Sequence, residues 1–249
     1  MTGGATLVVL RHGQSTWNLE NRFTGWTDVP LTDTGRAEAI SAGGLMAEAG
    51  LSFDVVHTSL LRRAITTANL ALDRMNLHWL PVKRHWLLNE RHYGALQGLN
   101  KKETAQAHSP ELVFEWRRSY ATPPPPLDLN DERHPRFDPM YASIEQDRLP
   151  ATECLADVVD RMIPYWTEEI VPDLAPGRGV LIVAHGNSLR ALLKHLKGLS
   201  EEEITSLNIA TGIPVVVALD AELNYGADRY RGDQAAAAAA AEAVARQAG

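Results

Sequence analysis

The chain has 249 residues, 45% hydrophobic and 22% charged, a composition that fits a folded globular protein and excludes disordered and fibrous classes. A formal net charge of -7 argues against a general nucleic-acid or membrane-surface role, which needs a basic face, so any anion site has to be local. The single cysteine, Cys154, excludes an internal disulfide and fits a reducing interior.

In chain order, the first short aliphatic run, Leu7 to Leu10, predicts a strand and is cut off by Arg11, His12 and Gly13. The stretch before it lacks a basic segment followed by a long apolar one, and nowhere do about eighteen apolar residues run together, so a cytoplasmic protein with no membrane span is expected. Thr32-Asp33-Thr34-Gly35 reads as the entry to a helix ending near Gly50. A second run, Val55 to Val56, precedes Leu61, Ala64, Ile65, Ala68, Leu72 and Met75, whose three-or-four spacing predicts an amphipathic helix. Thr122 to Pro150 carries four consecutive prolines, Pro123 to Pro126, and no clear period; it reads as a surface excursion, either a lid or a tolerated insertion. Leu155, Val158, Val159, Met162, Ile163, Trp166 and Ile170 predict another amphipathic helix, with Pro164 placed to kink it. Val180 to Val183 is a third strand, ending at His185 and Gly186; Ser200-x-x-Glu203 has the form of a capping box, and Val215 to Leu219 is a fourth strand. From Gln234 the chain is nearly all alanine, helix-forming but without an apolar face that demands packing. Strands preceding helices point to the α/β class with a mainly parallel sheet.

Two strand ends therefore finish in histidine and glycine, and in a parallel sheet those ends flank the crevice where ligands bind. A histidine taken alone is most often hydrogen-bonded near a turn, and that reading serves for His57, His78, His85, His108, His134 and His195. His12 and His185 together call for more. Arg11 beside His12, with Gly13 allowing close backbone approach, makes an anionic guest natural. Arg62 and Arg63 open a helix, where a cation opposes the dipole and so suggests an external anion; for Arg62 a solvated surface role is the plainer reading. Glu90 stands in Asn89-Glu90-Arg91-His92-Tyr93-Gly94, and Arg117 and Arg118 sit next to the proline run, where a wet helix face is the bland alternative.

If the guest is a phosphate ester, its transfer needs an in-line nucleophile, donors for the equatorial oxygens and a proton source for the leaving oxygen. No C-x-x-C or H-E-x-x-H spacing suggests a metal, so side chains must supply all three. A neutral imidazole is nucleophilic near pH 7, its unperturbed pKa being about 6.5. His12 suits that role, Arg11 and Arg63 can bridge phosphoryl oxygens, His185, held cationic by the phosphoryl load, can stabilise charge, and Glu90 can shuttle the proton.

RHGQSTWN, FTGWTDVPLT, LNERHYGALQGLNK, EWRRSYATPPPP and AHGNSLRALLKHL together resemble the phosphoglycerate mutases that depend on 2,3-bisphosphoglycerate, within the histidine phosphatase superfamily. The likeness runs from about Leu7 to Gly232. RHG alone marks the superfamily; ERHYG and WRRSY narrow it to the mutases. The resemblance implies a single catalytic domain over 1–249 with a three-layer α/β/α fold, an excursion at about 122–150 and an Ala-rich tail at about 233–249. It makes His12 the phosphorylated residue, Glu90 the proton donor and acceptor, and His185 the transition-state stabiliser. Ligand contacts carry over to Arg11, His12, Gly13, Gln14, Ser15, Thr16, Trp17 and Asn18, to Thr24, Gly25 and Arg63, and to Glu90, Arg91, His92 and Tyr93. Lys101, Arg117, Arg118, Gly186 and Asn187 complete the implied pocket, with Lys101 and the arginine pair on the carboxylate and far phosphate.

The implied reaction interconverts 3-phosphoglycerate and 2-phosphoglycerate, with 2,3-bisphosphoglycerate as primer and intermediate, no metal, and a homodimer or homotetramer as the assembly. Departures from the pattern are Ala210, where many relatives have proline, and Arg231, where leucine is usual. The rival readings are a histidine phosphatase that discharges a small phosphate ester to water, and a non-catalytic module that grips a phosphorylated ligand.

Overall fold

The computed structural model of the protein describes residues 5–174 and 177–245. Its strands are β1 (Thr6–Arg11), β2 (Val55–Thr58), β3 (Val82–Arg84), β4 (Gly179–Ala184), β5 (Val215–Leu219) and β6 (Tyr225–Tyr230), joined in one sheet in the order β3-β2-β4-β1-β5-β6. From β3 to β1 neighbours run parallel, while β5 and β6 add to that core antiparallel. The helices in chain order are α1 (Thr16–Leu19), α2 (Asp33–Glu48), α3 (Arg62–Arg74), α4 (Lys101–Ala107), α5 (Pro110–Arg118), α6 (Leu155–Tyr165), α7 (Val171–Leu174), α8 (Gly186–Lys197), α9 (Glu201–Ser206) and α10 (Gln234–Ala245).

The aliphatic runs are continuous because helices cover both faces of the sheet, and successive side chains alternate between them. Leu7, Val9, Val180 and Ile182 pack with Leu155, Val158, Leu189 and Leu192 of α6 and α8. Val8, Leu10, Leu181 and Val183 pack on the other face with Ala42, Met46, Ala68 and Leu72 of α2 and α3. Gly43 lets those two helices close together, since a Cβ there would stand 2.5 Å from the Ala71 carbonyl oxygen. The result is the three-layer α/β/α arrangement. Two strands escape the aliphatic-run criterion. β3 is a short edge strand, VKR, and β6 is the polar YGADRY.

Local signals set the helix ends. The Thr32 hydroxyl accepts from Gly35 N–H at 3.0 Å to start α2, and both halves of the Ser200–Glu203 capping box form at α9. Pro164 does not end its helix. Trp166–Ile170 widen into a π-helix before α7, a form that accommodates the missing N–H groups and ring bulk of Pro164 and Pro172.

The excursion at 122–150 is more ordered than its composition suggests. It folds into 3-10 turns at Pro135–Phe137, Pro139–Tyr141 and Gln146–Arg148, and it is anchored by Tyr141 and Leu149 in the core. The Tyr141 ring lies 4.8 Å from that of Trp26, and its hydroxyl accepts from Asn89 Nδ2 at 2.9 Å. The alanine-rich segment forms α10, started by Asp233, whose carboxylate accepts from Ala235 N–H at 2.8 Å, and Ala237 within it is buried. The last part of the expected tail, 246–249, lies outside the described residues. At position 210 the non-proline residue has a use: Ala210 N–H donates to the Tyr230 hydroxyl at 3.0 Å, tying this segment to β6. Among the described residues no helix is long and apolar enough to cross a membrane.

Candidate active site

Parallel pairing brings the carboxyl ends of β1, β2 and β4 to one edge of the sheet. His12 N–H still donates to Ala184 O at 3.0 Å, so the ladder holds up to the two histidines, whose rings meet edge to face at 4.9 Å and 61°. Ser59, just past β2, places its hydroxyl 2.8 Å from His185 Nε2. His12 Nδ1 lies 2.7 Å from the Gly13 carbonyl oxygen. A carbonyl only accepts, so Nδ1 carries the proton and Nε2 keeps its lone pair. Burial, reinforced by Arg63 and Arg11, holds His12 well below the ordinary histidine pKa; burial, then Arg63 and His12, does the same to His185. The protein alone thus holds both imidazoles neutral at pH 7, and the cationic His185 of the sequence reading requires an anion's field. Among the described residues His185 Nδ1 is buried without a hydrogen-bond partner.

The cleft beside His12 is lined by Arg11, Arg63 and Lys101, then by Arg117, Arg118, Arg22 and Arg190, against a single carboxylate, Glu90. The local charge is opposite to that of the whole chain. The guanidiniums are braced by uncharged acceptors: Arg11 on Ile209 O at 2.9 Å, Arg63 on Gly25 O at 2.7 Å and Thr27 O at 3.0 Å, and Arg118 on Asn208 Oδ1 at 2.8 Å. Arg11 Nε and Arg190 Nε are buried without a partner among the described residues. Burial lowers Arg63 and Arg117 to about 10, leaving both charged, and brings Lys101 to about 7 with help from Arg117 and Arg11. Cations that cost this much to bury fit a polyanionic guest.

Glu90 reaches the same cleft from the loop that follows β3. Its Oε1 accepts from Arg91 N–H at 2.8 Å and from Asn187 N–H, in the first turn of α8, at 3.1 Å. The side-chain Nδ2 of Asn187 donates to the Tyr93 hydroxyl at 3.3 Å. A carboxylate held by backbone N–H groups at one oxygen keeps the other for proton exchange.

Thirteen of the residues singled out in the sequence line this cleft, from Arg11, His12 and Asn18 through Thr24, Gly25, Arg63, Glu90, Tyr93 and Lys101 to Arg117, Arg118, Gly186 and Asn187. His185 packs just behind His12, fully buried. The other candidates brace the site from outside. At Gly13 a Cβ would stand 2.1 Å from Gly35 O, so its lack of a side chain lets the start of α2 close on the loop. Gln14 N–H donates to Glu38 at 2.7 Å, Ser15 caps α1 through Asn18, and Thr16 and Trp17 belong to that short helix. Arg91 is buried with one nitrogen on Arg117 O at 3.0 Å and its carbon 4.5 Å over the Tyr93 ring, and His92 is bound to Gly94 N–H and Gln97. Arg62 is exposed, and His57 is satisfied by Tyr165 and Asp173, as their plainer readings had it.

Sequence reasoning missed Arg22, Phe23, Arg190, Asn208 and Ile209 in the lining and Ser59 behind His185. For Arg190 a signal existed: three residues after Asn187 on a helix, it shares that residue's face, and its Nη1 donates to Asn187 Oδ1 at 2.9 Å. Among the described residues no group of three or more His, Cys, Asp or Glu is placed to hold a metal.

Residues 7–138 and 126–224 match the histidine phosphatase superfamily, branch 1. Solved structures of this shape include mycobacterial glucosyl-3-phosphoglycerate phosphatase complexed with VO3 (TM-score 0.69, 24% identity, 93% of this chain and 99% of that one). A putative alpha-ribazole-5'-P phosphatase from Escherichia coli is similar too (TM-score 0.67, 21% identity, 93% and 98% covered). At such identities they speak for the fold alone. The chain belongs to the histidine phosphatase superfamily. Within it the chain groups with the phosphoglycerate mutases: it is 57% identical over 242 residues, 97% of each chain, to the 2,3-bisphosphoglycerate-dependent phosphoglycerate mutase of Nitratidesulfovibrio vulgaris (strain DSM 19637 / Miyazaki F).

Proposed function

We propose that this enzyme interconverts 3-phosphoglycerate and 2-phosphoglycerate by way of a phosphohistidine at His12. The observation that carries the reading is the pair His12–His185, 4.9 Å apart beside a cleft of buried cations, in a chain more than half identical to a named mutase.

His12 Nε2, with its lone pair free, is the nucleophile; Arg11 and Arg63 bind the phosphoryl oxygens, and His185 Nδ1 becomes a charged donor as negative charge gathers at phosphorus. Glu90 gives a proton to the ester oxygen that leaves and takes one from the hydroxyl that attacks. Lys101, Arg117 and Arg118 hold the remote anionic end, a grip that a phosphatase for simple monoesters does not need. The orphaned N–H groups of Arg11 and Arg190 and the orphaned His185 nitrogen fit an acid with two phosphates, so these cations would hold 2,3-bisphosphoglycerate. When bound it supplies the phosphoryl group that charges His12. We further propose that the reaction is metal-free, that the substrate is a small molecule rather than a nucleic acid or membrane, and that the enzyme is a cytoplasmic homodimer or homotetramer.

The test follows 3-phosphoglycerate conversion with and without a trace of 2,3-bisphosphoglycerate, scoring phosphate release in parallel. Isomerisation that is primed by the trace and far exceeds release supports the reading; release exceeding isomerisation makes the protein a phosphatase.

A further inference from the structure

The loop that carries Glu90 is gripped by an ion pair that the mechanism above does not use. Arg161, on α6, forms a buried fork with Glu153, Nε to Oε1 at 2.6 Å and Nη2 to Oε2 at 3.1 Å. The same guanidinium reaches the loop backbone: Nη1 donates to Leu87 O at 2.6 Å, and Nη2 is shared between Glu153 and the carbonyls of Asn89 and Glu90, each at 3.0 Å. Glu153 closes the ring from the other side, accepting from His92 N–H at 2.7 Å through Oε2 and donating its own N–H to His92 O at 2.9 Å. Trp26 Nε1 adds a bond to Glu90 O at 2.6 Å, and the Arg161 guanidinium lies 5.9 Å over the same indole.

Backbone carbonyls of residues 87, 89 and 90 and the N–H of 92 are thus fixed by two side chains from elsewhere in the fold, and the carbonyl of 92 by the Glu153 main chain. Glu90 is the point between them. Loops at sheet edges otherwise fluctuate, and a proton donor displaced by about 1 Å loses about a hundredfold in rate. We propose that Arg161 and Glu153 are positioning residues that set the Glu90 carboxyl for proton transfer to the leaving oxygen. The inference rests on the role of Glu90 given above. In the step concerned, the ester P–O bond breaks as His12 Nε2 bonds to phosphorus, and the departing alcohol oxygen takes its proton from Glu90, which ends as carboxylate.

The need for that proton depends on the leaving group, which supplies a readout that general loosening of the fold would not give. Arg161→Lys keeps the charge and loses the fork. The paired change Arg161→Met with Glu153→Gln removes the ion pair without stranding a buried charge, and thermal unfolding shows that each variant folds. Single-turnover phosphorylation of the enzyme is compared with 2,3-bisphosphoglycerate, whose leaving group is an alcohol, and with p-nitrophenyl phosphate, whose leaving group departs unprotonated. Both variants should lose about ten- to a hundredfold with the bisphosphate and less than about threefold with the aryl ester. Equal losses on the two donors, or no loss with the bisphosphate in a folded variant, overturn the proposal. Glu90→Gln run alongside separates the two claims: if it fails to show the same donor dependence, the role of Glu90 itself is wrong, whatever Arg161 does.

Discussion

His12 Nδ1 sits 2.7 Å from the carbonyl oxygen of Gly13, the residue directly after it, and this one contact decides which ring nitrogen can attack. The bond fixes the tautomer, and burial beside Arg63 and Arg11 keeps the ring unprotonated.

Replacing His12 by alanine should therefore abolish mutase turnover, a loss beyond about 10⁴-fold for a covalent nucleophile, while the cations still bind ligand. Calorimetric titration with 3-phosphoglycerate checks the second half. Appreciable turnover in the variant contradicts covalent catalysis.

The remote grip predicts a selective loss. Arg117→Ala combined with Arg118→Ala should lower kcat/KM for 3-phosphoglycerate by about a hundredfold or more, each charged hydrogen bond contributing about 1.5–3 kcal/mol, yet barely change hydrolysis of a small phosphate monoester. Parallel losses on both substrates would show that the two arginines act at the reacting phosphate.

Lys101 at about 7 gives binding a pH signature. Above pH 7 the protein alone holds much of this lysine neutral; an anion favours the ammonium, raises its pKa and draws in a proton. Binding at pH 7.5 should take up protons, and Lys101→Met should take up fewer. Titration calorimetry in buffers of different ionisation enthalpy measures the difference, and identical uptake in the two proteins contradicts the assignment.

Away from the site, burial pushes His57 down to about 4 against the pull of Asp173. Its unfolded value is about 6.5, so between those limits the unfolded chain binds more protons and stability falls as pH drops. The contribution is intact above about pH 6.5 and lost toward pH 4, on the order of 3 kcal/mol. His57→Gln should be less acid-sensitive in urea unfolding over this window. An unchanged pH slope means that other buried groups govern it.

How much of this was legible beforehand follows from what burial does to sequence. β1 and β4 are covered on both faces, so they show as aliphatic runs, and their terminal histidines stand out. β3, half-exposed at an edge, and β6, polar and without an aliphatic run, carry no such mark. In the Glu90 loop, adjacent residues look equally chemical, but the backbone sends Glu90 and Tyr93 into the cleft and His92 into its wall. Arg190 reads as one more base on an amphipathic helix, and Glu153–Arg161 pairs residues eight apart whose common target, the 87–92 loop, is far away in the chain. Contacts of that kind become visible only when the fold closes.

The most direct measurement is of the bond itself. Enzyme with 15N-labelled histidine, mixed with 2,3-bisphosphoglycerate and quenched in base, should show by NMR one phosphorus coupled to Nε2 of His12, acid-labile and absent from the alanine variant. Phosphorus on Nδ1, on another residue or nowhere on the protein would contradict the account.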